Sequence, residues 1–430
     1  MFHINKSIKI IINISYEYIC YKIKCICNKC DQNSLDVYWD TFIINCCESL
    51  KTTNIFFIKA MQTLSSDNVH LSSKVQTYMD RMSDNVPYND SDFDITEIEQ
   101  LLQTINIKLN VIPIASGTIA IVFKGYDNDR EYAIKIKRTN IKNKMIDSID
   151  NMHKMIILLN NIPQLKKYNL VTHYDNTIQY MYEQLDFNKE WDNINTVYNY
   201  NKRIESYIIP QPYFKYITES NNNIIIMDFV NGIKLKDVLY EDKDKFCELI
   251  SKFGIKSMFF DGHVHGDLHQ GNCRFVIDEE DKENREKIIV YDFGILCKIS
   301  KEEQDILFRF YKNTFTRDYH KSAFICLNEL VFPENMFKSL NIEDKQILQY
   351  RVENCIFNCF GKYKVITSTD IRILSNILYE YNLKPKEWFC KLLLSFVIHE
   401  SLIQNLSTSK TFLEYGEELL SEIYIDLDNF

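Results

Sequence analysis

Apolar positions change their period along the chain, and each change predicts a change of element. Through residues 1 to about 105 they recur at helical spacing, most clearly in Val37–Leu50 and Ile55–Leu64. Asp94-Ile95-Thr96-Glu97 predicts a further helix with Asp94 as N-cap, because a carboxylate there can accept the first unpaired backbone N–H groups. From Val111 the pattern turns to strands. Pro113–Gly125 reads as a small-residue turn running into an apolar strand, and Glu131–Lys137 as a second strand across the turn Asp127-Asn128-Asp129-Arg130. Residues 140–200 return to helix, with Pro163 separating a run over Met145–Asn161 from a helix around Met181–Tyr198. Asn223–Asp228 is a strongly apolar strand followed by the turn Phe229-Val230-Asn231-Gly232, and after Leu235 the chain reads mainly as helices. The exception is a hairpin, Cys273–Ile277 with Lys287–Tyr291, closed by the charged segment Asp278–Glu286. A strand-rich middle flanked by helical ends predicts an α+β fold.

Composition narrows the class. With 430 residues and 46% apolar content the chain can bury two or three cores, enough for one bilobal catalytic unit with an extension. A net charge of -9 and a pI near 5.6 argue against nucleic acid as a partner. The 13 cysteines, without regular spacing, read as reduced intracellular thiols. Cys20, Cys25, Cys27 and Cys30 form a local cluster that could hold zinc, although the spacing is not that of paired CxxC sites; AT-rich codon bias, of the kind found in a large DNA virus or an AT-rich parasite, is the competing explanation. Ile8–Ile26 carries Lys9, Glu17, Lys22 and Lys24, too many charges for a transmembrane segment or a signal peptide, and no Arg occurs before Arg81. The expectation is an intracellular protein, soluble or peripheral, with a surface-lying amphipathic helix left open.

The candidate chemistry gathers in two short stretches. His265-Gly266-Asp267-Leu268-His269-Gln270-Gly271-Asn272 places an Asn five positions after an Asp, and Asp292-Phe293-Gly294 follows an apolar run twenty residues later. Phosphoryl transfer from ATP requires such a set: Asp267 to accept a proton from or orient the nucleophile, Asn272 and Asp292 to hold Mg²⁺ against the phosphates. Of 10 glycines, Gly262, Gly266, Gly271 and Gly294 fall in this region, which predicts positive φ or close backbone approach there. Upstream, the small residues Ala115, Ser116, Gly117 and Thr118 would let backbone N–H groups approach phosphate, and Lys135, between Ile134 and Ile136, stands where a strand lysine contacts the α- and β-phosphates; an ordinary edge-strand lysine is the bland alternative. Glu190 is the candidate partner of Lys135, with Asp186 and Asn193 on the same helix face, against the alternative of a solvated acidic face. Asn223–Gly232 suits a hinge whose backbone meets an adenine ring. His265 and His269 bracket Asp267, and bracing of loop backbone is favoured there over metal binding. Ser300-Lys301-Glu302-Glu303 is a capping box that starts a helix soon after Gly294. Neither a long activation segment nor Ala-Pro-Glu follows, and Gly266 stands where protein kinases carry an Arg, both of which disfavour a protein substrate.

Between about Ile55 and Ile299 the chain resembles the UbiB/ADCK atypical kinase-like family. Lys59-Ala60-Met61-Gln62 looks like its KxGQ motif with Met61 for Gly, and Pro113–Phe123 like its alanine-rich loop, with Ala115 kept and Ser116 and Gly117 in place of further alanines. Gln184-Leu185-Asp186-Phe187-Asn188-Lys189-Glu190 resembles its ExD stretch and following glutamate, with Gln184 at the first acidic position and Glu183 one residue earlier. Met227–Gly232 resembles its hinge and His265–Asn272 its HxDxHxGN loop. The resemblance implies a bilobal protein-kinase-like fold, with a helical extension over 1–105, a small antiparallel-sheet N-lobe with a helical insert over 106–230, and a helical C-lobe over 231–430. It further implies ATP and Mg²⁺ as cofactors, a lipid, quinone or membrane-surface partner connected with ubiquinone biosynthesis and lipid homeostasis, and a regulatory role for Lys59, Gln62, Gln184 and Asp186, the KxGQ helix folding over the site. The function expected is that of an ATPase or a small-molecule or lipid phosphotransferase; the alternatives are a nucleotide-gated module without turnover and an ordinary Ser/Thr protein kinase.

Overall fold

Alternate residues of neighbouring strands turn isoleucine and phenylalanine to one face, and a five-stranded antiparallel sheet forms around them. The computed structural model describes the chain apart from residues 1–5, 28–31, 52–71, 73, 76–77, 79–85, 87, 161–177, 179–181, 218–222, 408 and 428–430. Its contacts define two units, Met1–Trp191 with Pro212–Phe229 and Asp192–Gln211 with Val230–Phe430. The first contains the helices α1 (Lys6–Cys27), α2 (Gln32–Lys51) and α3 (Ile95–Thr104), then the strands β1 (Lys108–Ser116), β2 (Ala120–Tyr126) and β3 (Glu131–Lys137), and the helix α4 (Ile141–Asn160). Helix α5 (Phe187–Asn201) begins in this unit and ends in the second, which also holds β4 (Tyr207–Ile208); β5 (Pro212–Ile217) and β6 (Asn223–Asp228) return to the first.

The sheet order is β1-β2-β3-β6-β5, so β3 is its central strand. In register, Phe123 faces Ile134 and Ile134 faces Ile226, and these join Ile121, Tyr132, Ile136 and Ile224 in one buried layer under Ile98 and Leu102 of α3. Because side chains alternate across a strand, this burial sends Ala133, Lys135 and Lys137 to the opposite face. Asp94 caps α3 as its sequence predicts, its Oδ1 accepting from the Thr96 and Glu97 N–H groups at 3.1 Å each. The Asp127–Arg130 turn also forms as predicted, with Asp127 Oδ1 accepting from the Asp129 and Arg130 amides. Two expectations need correction. Pro113–Ser116 is not turn but the end of β1, whose register against β2 shifts around Pro113, so small residues there continue a strand through a bulge. The helix expected around Met181–Tyr198 instead starts at Phe187, after a break at Leu185-Asp186. Ile55–Leu64 lies outside the described residues.

The second unit is mainly helical. Helix α6 (Lys243–Lys256) buries Phe246, Ile250 and Phe253, and around it come β7 (His263–His265), β8 (Cys273–Ile277), β9 (Glu286–Val290) and β10 (Leu296–Lys298). Strands β8 and β9 form the predicted hairpin, one residue earlier on its second strand than expected, and β4 adds to β9 in parallel; β10 pairs with β7. The remaining major helices are α7 (Lys301–Phe315), α8 (Tyr319–Glu329), α9 (Ile342–Ile356), α10 (Ser368–Tyr379), α11 (Glu387–Leu406) and α12 (Phe412–Leu427). Among the described residues no helix is long and apolar enough to cross a membrane.

Where α6 meets α11 and α12, Gly254 leaves room for the rings of His399 and Phe412, which a Cβ would meet at 3.1–3.2 Å. His399 is 1% exposed; its Nδ1–H donates to Ser395 O at 2.7 Å, and its Nε2 has no partner among the described residues. Burial therefore pushes its pKa down from 6.5 to about 4, with the Ser395 carbonyl opposing the shift. Between those values the unfolded chain binds the proton and the folded chain does not, so this stability is full above pH 6.5 and is lost as pH falls toward 4. The expected outcome is a loss on the order of 3 kcal/mol across that window. Thermal unfolding measured from pH 7 to 4.5 should show the decline, and His399→Leu should flatten it; equal slopes in both proteins would refute the assignment.

Candidate active site

In the first unit the site is built on the central strand. Lys135 Nζ lies 2.5 Å from Glu190 Oε1, with the two side chains only 11% and 2% exposed. Lys135 is thus no edge-strand residue, and Glu190 is no part of a solvated face. Glu190 reaches the lysine because α5 starts at Phe187, placing it in the first turn. Asp186 fixes that start: its Oδ1 accepts from the Asn188 and Lys189 N–H groups at 3.0 and 3.1 Å. The expectation that Asp186 shares a helix face with Glu190 is therefore corrected, since Asp186 is the exposed cap and not a helical residue. Glu183 pairs with Lys189 at 3.1 Å, Gln184 is half-buried just before the break, and Lys137 donates to Leu185 O at 2.6 Å. Lys59 and Gln62 lie outside the described residues. Of the small residues upstream, Ala115 and Ser116 end β1, whereas Gly117 opens the turn to β2, its N–H donating to Ala120 O at 2.9 Å.

In the second unit the loop after β7 is held by its own backbone. His265, 1% exposed, accepts from the Asp267 N–H on Nδ1 and donates from Nε2 to Tyr291 O, each at 3.0 Å. Both bonds require the neutral Nε2–H tautomer, and burial, which pushes the imidazole pKa down, keeps it neutral. His269 Nδ1 accepts from the Gly271 N–H at 2.9 Å. Both histidines therefore brace the loop. Asn272 donates through Nδ2 to Asp267 O at 2.9 Å, which tethers the two candidate residues, and Tyr291 N–H donates to Asn272 O at 2.9 Å, which ties the loop to the residue before Asp292.

Asp292 sits at φ 55°, in the left-handed region where a non-glycine residue is strained. Of Gly262, Gly266, Gly271 and Gly294, positive φ occurs at Gly262 alone. Gly266 answers to close approach, since a Cβ would stand 2.4 Å from Ile295 Cγ2, and any side chain there would force Ile295 to move. Two residues support this loop: Asn193, placed by the sequence on the Glu190 face of its helix, and Arg274, which escapes the sequence reading. Asn193, fully buried on α5, donates to Phe293 O at 2.9 Å. Arg274 Nη1 donates to the carbonyls of Gln270, Gly271 and Cys273. The chain then leaves at once: Leu296 pairs with His265 and Ser300 caps α7 in a reciprocal box with Glu303, so no long segment intervenes.

The donors offered by Asn272 and Asp292 are a carboxamide and a carboxylate, both hard oxygen ligands. Among the described residues no three or more His, Cys, Asp or Glu side chains gather as a metal cage. That donor set fits Mg²⁺, which binds one or two carboxylates and completes its shell with phosphate oxygens and water.

A family model described as the ABC1 atypical kinase-like domain matches residues 84–325. A curated relative, Protein ACTIVITY OF BC1 COMPLEX KINASE 8, chloroplastic, of Arabidopsis thaliana, is 24% identical over 280 residues, which is 62% of this chain and 35% of that protein. The chain thus spans about a third of that relative's length. Among solved structures, a Mycobacterium tuberculosis protein in complex with erythromycin is 16% identical, covering 67% of this chain and 74% of that chain with a TM-score of 0.37. The Rio2 kinase–ADP/Mg²⁺–phosphoaspartate complex from Chaetomium thermophilum is 14% identical, covering 75% and 94% with a TM-score of 0.32.

The strain at Asp292 makes a test. In Asp292→Gly, relief of the left-handed strain, about 1 kcal/mol, offsets the added unfolded-state entropy of glycine, about 0.5–1 kcal/mol. Chemical denaturation should show stability close to wild type, while the melting shift on adding Mg-ATP disappears. A large stability loss would assign Asp292 to structure instead.

Proposed function

The chain belongs to the ABC1 atypical kinase-like family, and on that premise we propose that it binds Mg-ATP and uses it, as an ATPase or as a phosphotransferase acting on a small molecule or lipid. The observation that carries this reading is the buried Lys135–Glu190 pair on the central strand. A lysine held by a carboxylate away from water has its ammonium fixed in one place, the arrangement needed to meet α- and β-phosphate oxygens. When bound, Mg-ATP supplies the phosphoryl group and a cation that neutralises its charge.

The protein's own residues do the rest. Lys135 binds phosphate and Glu190 orients it; the Gly117 turn offers backbone N–H groups; Asn272 and Asp292 hold the divalent ion through oxygen. Asp267 orients the attacking hydroxyl or water and takes its proton, and the bond from the Asp267 N–H to His265 fixes the backbone that carries it. The short path from Gly294 to α7, and Gly266 pressed against Ile295, favour a small acceptor over a protein one. A lipid or membrane-surface partner is supported by α1, where Ile12, Tyr16, Ile19 and Ile23 recur at helical spacing, all more than half exposed, beside the exposed Lys22 and Lys24. A nucleotide-gated module without turnover is the second reading, favoured by Asp186 serving as a helix cap and Gln184 standing in place of an acid.

Steady-state ATP hydrolysis with and without lipid vesicles, comparing wild type with Asp267→Asn, separates the readings. Removing a general base costs about 10²–10⁴-fold in rate, so that is the expected loss. Mg-ATP binding without any turnover dependent on Asp267 would select the module, and phosphate transferred to added proteins would revive protein kinase activity.

A further inference from the structure

Arg138, the residue after β3, is charged yet only 5% exposed, and its guanidinium joins the turn between β1 and β2 to residues that precede β1. Nε and Nη2 lie 3.1 and 2.9 Å from Gly117 O, Nη2 also lies 2.9 Å from Ser116 Oγ and 3.4 Å from Val86 O, and Nη1 lies 2.6 Å from Asp92 Oδ2. The Arg138 N–H adds a bond to Ile119 O at 2.9 Å. Asp92, 4% exposed, is held in turn by Lys144 at 2.9 Å and by the Asn89 N–H at 3.1 Å. Burial alone would raise its carboxyl pKa, but Lys144, the Asn89 amide and Arg138 outweigh that and keep it ionised. Val86 is stitched to the same turn, its N–H donating to Ser116 O at 2.8 Å and its carbonyl accepting from Ser116 Oγ at 2.6 Å.

We propose that Arg138, fixed by Asp92, is the positioning residue of the phosphate-binding turn, and that through it Val86 and Asp92 become part of the nucleotide site. The proposal rests on the reading above that this turn receives phosphate. A trans peptide sets its C=O and the following N–H in opposite directions, so pinning the Gly117 carbonyl toward the guanidinium turns the Thr118 N–H away from it. A turn with a free Gly117 peptide could rotate that N–H out of use at little cost; a peptide gripped by two charge-assisted bonds cannot. The planar fork is what allows one side chain to serve Gly117 O, Ser116 Oγ and Asp92 together, and a lysine ammonium cannot span all three. The cation works through backbone and need not touch ATP.

The test compares two ligands on the full chain. Arg138→Lys keeps a positive charge beside Asp92 but loses the fork. Titration with Mg-ATP should show affinity about tenfold weaker, the equivalent of one to two net hydrogen bonds, with adenosine affinity within about twofold of wild type. Ser116→Ala, which removes one acceptor and leaves the ion pair intact, should give a smaller loss, about threefold, again for Mg-ATP alone. Thermal melting of each apo variant establishes folding, and if Arg138→Lys does not fold, Ser116→Ala decides. Equal weakening for both ligands, or unchanged Mg-ATP affinity in a folded variant, would overturn the proposal. Wild-type protein that binds adenosine but gains nothing from the phosphates would instead overturn the reading of the turn itself.

Discussion

One buried ion pair sets the terms for the first unit. Placing Glu190 and Lys135 out of water costs several kcal/mol per ion before their attraction is counted, so the pair is weak evidence of stability and strong evidence of constraint. Leaving either charge alone would cost roughly 3–5 kcal/mol, which means that strand register and helix start must deliver both together. Register does so through the isoleucine layer, because burying Ile134 and Ile136 on one face leaves Lys135 no choice but the other. The helix start does so through Asp186, whose cap fixes Phe187 as the first residue of α5 and Glu190 in its first turn.

The second unit solves a different problem with different chemistry. Its candidate groups, Asp267, Asn272 and Asp292, must stay partly accessible, so they cannot be positioned by burial. The backbone beneath them is fixed instead: by His265 between two chain segments, by the Asn272 bond to Asp267 O, and by Arg274 gathering carbonyls. Neutral His265 suits this role because it offers one donor and one acceptor, which a protonated ring could not. Asp292 carries a residual cost as backbone strain.

What could be read from sequence was whatever depends on neighbours in the chain. The Asp94 cap, the Ser300–Glu303 box, the Asp127–Arg130 turn and the β8–β9 hairpin are short-range patterns, and each forms as expected. Lys135 and Glu190 are far apart in sequence, and only the downstream motif supplies the context that pairs them. The errors share a cause. Apolar spacing over Met181–Tyr198 is continuous, and only the competition of the Asp186 side chain for backbone N–H groups reveals the break. Small residues at Pro113–Ser116 signal a turn, yet pairing with β2 overrides them. Arg138 and Arg274 leave no local signal, since an arginine beside a strand is usually solvated, and for Asn193 the helix face is legible but its bond to Phe293 O is not; these roles exist only in tertiary contact.

The short exit from Gly294 bears on how such a site could be regulated. In ordinary protein kinases the segment after this glycine is long enough to hold two conformations, and phosphorylation chooses between them. Here Leu296–Lys298 is committed to β7 and Ser300 to the cap of α7, so the backbone has no slack in which a second state could form. On the proposed reading, control of nucleotide binding acts through a part of the chain that touches the β1–β2 turn and is not itself locked into a sheet. The polar network around Arg138 meets that condition, because Val86 and Asp92 precede β1 in sequence, and yet Val86 O accepts from Ser116 Oγ and Asp92 holds the guanidinium that bonds Gly117 O. A buried charge pair is a suitable connector, since it tolerates little displacement: any upstream change that withdraws Asp92 leaves Arg138 uncompensated and costs the turn its fixed peptide.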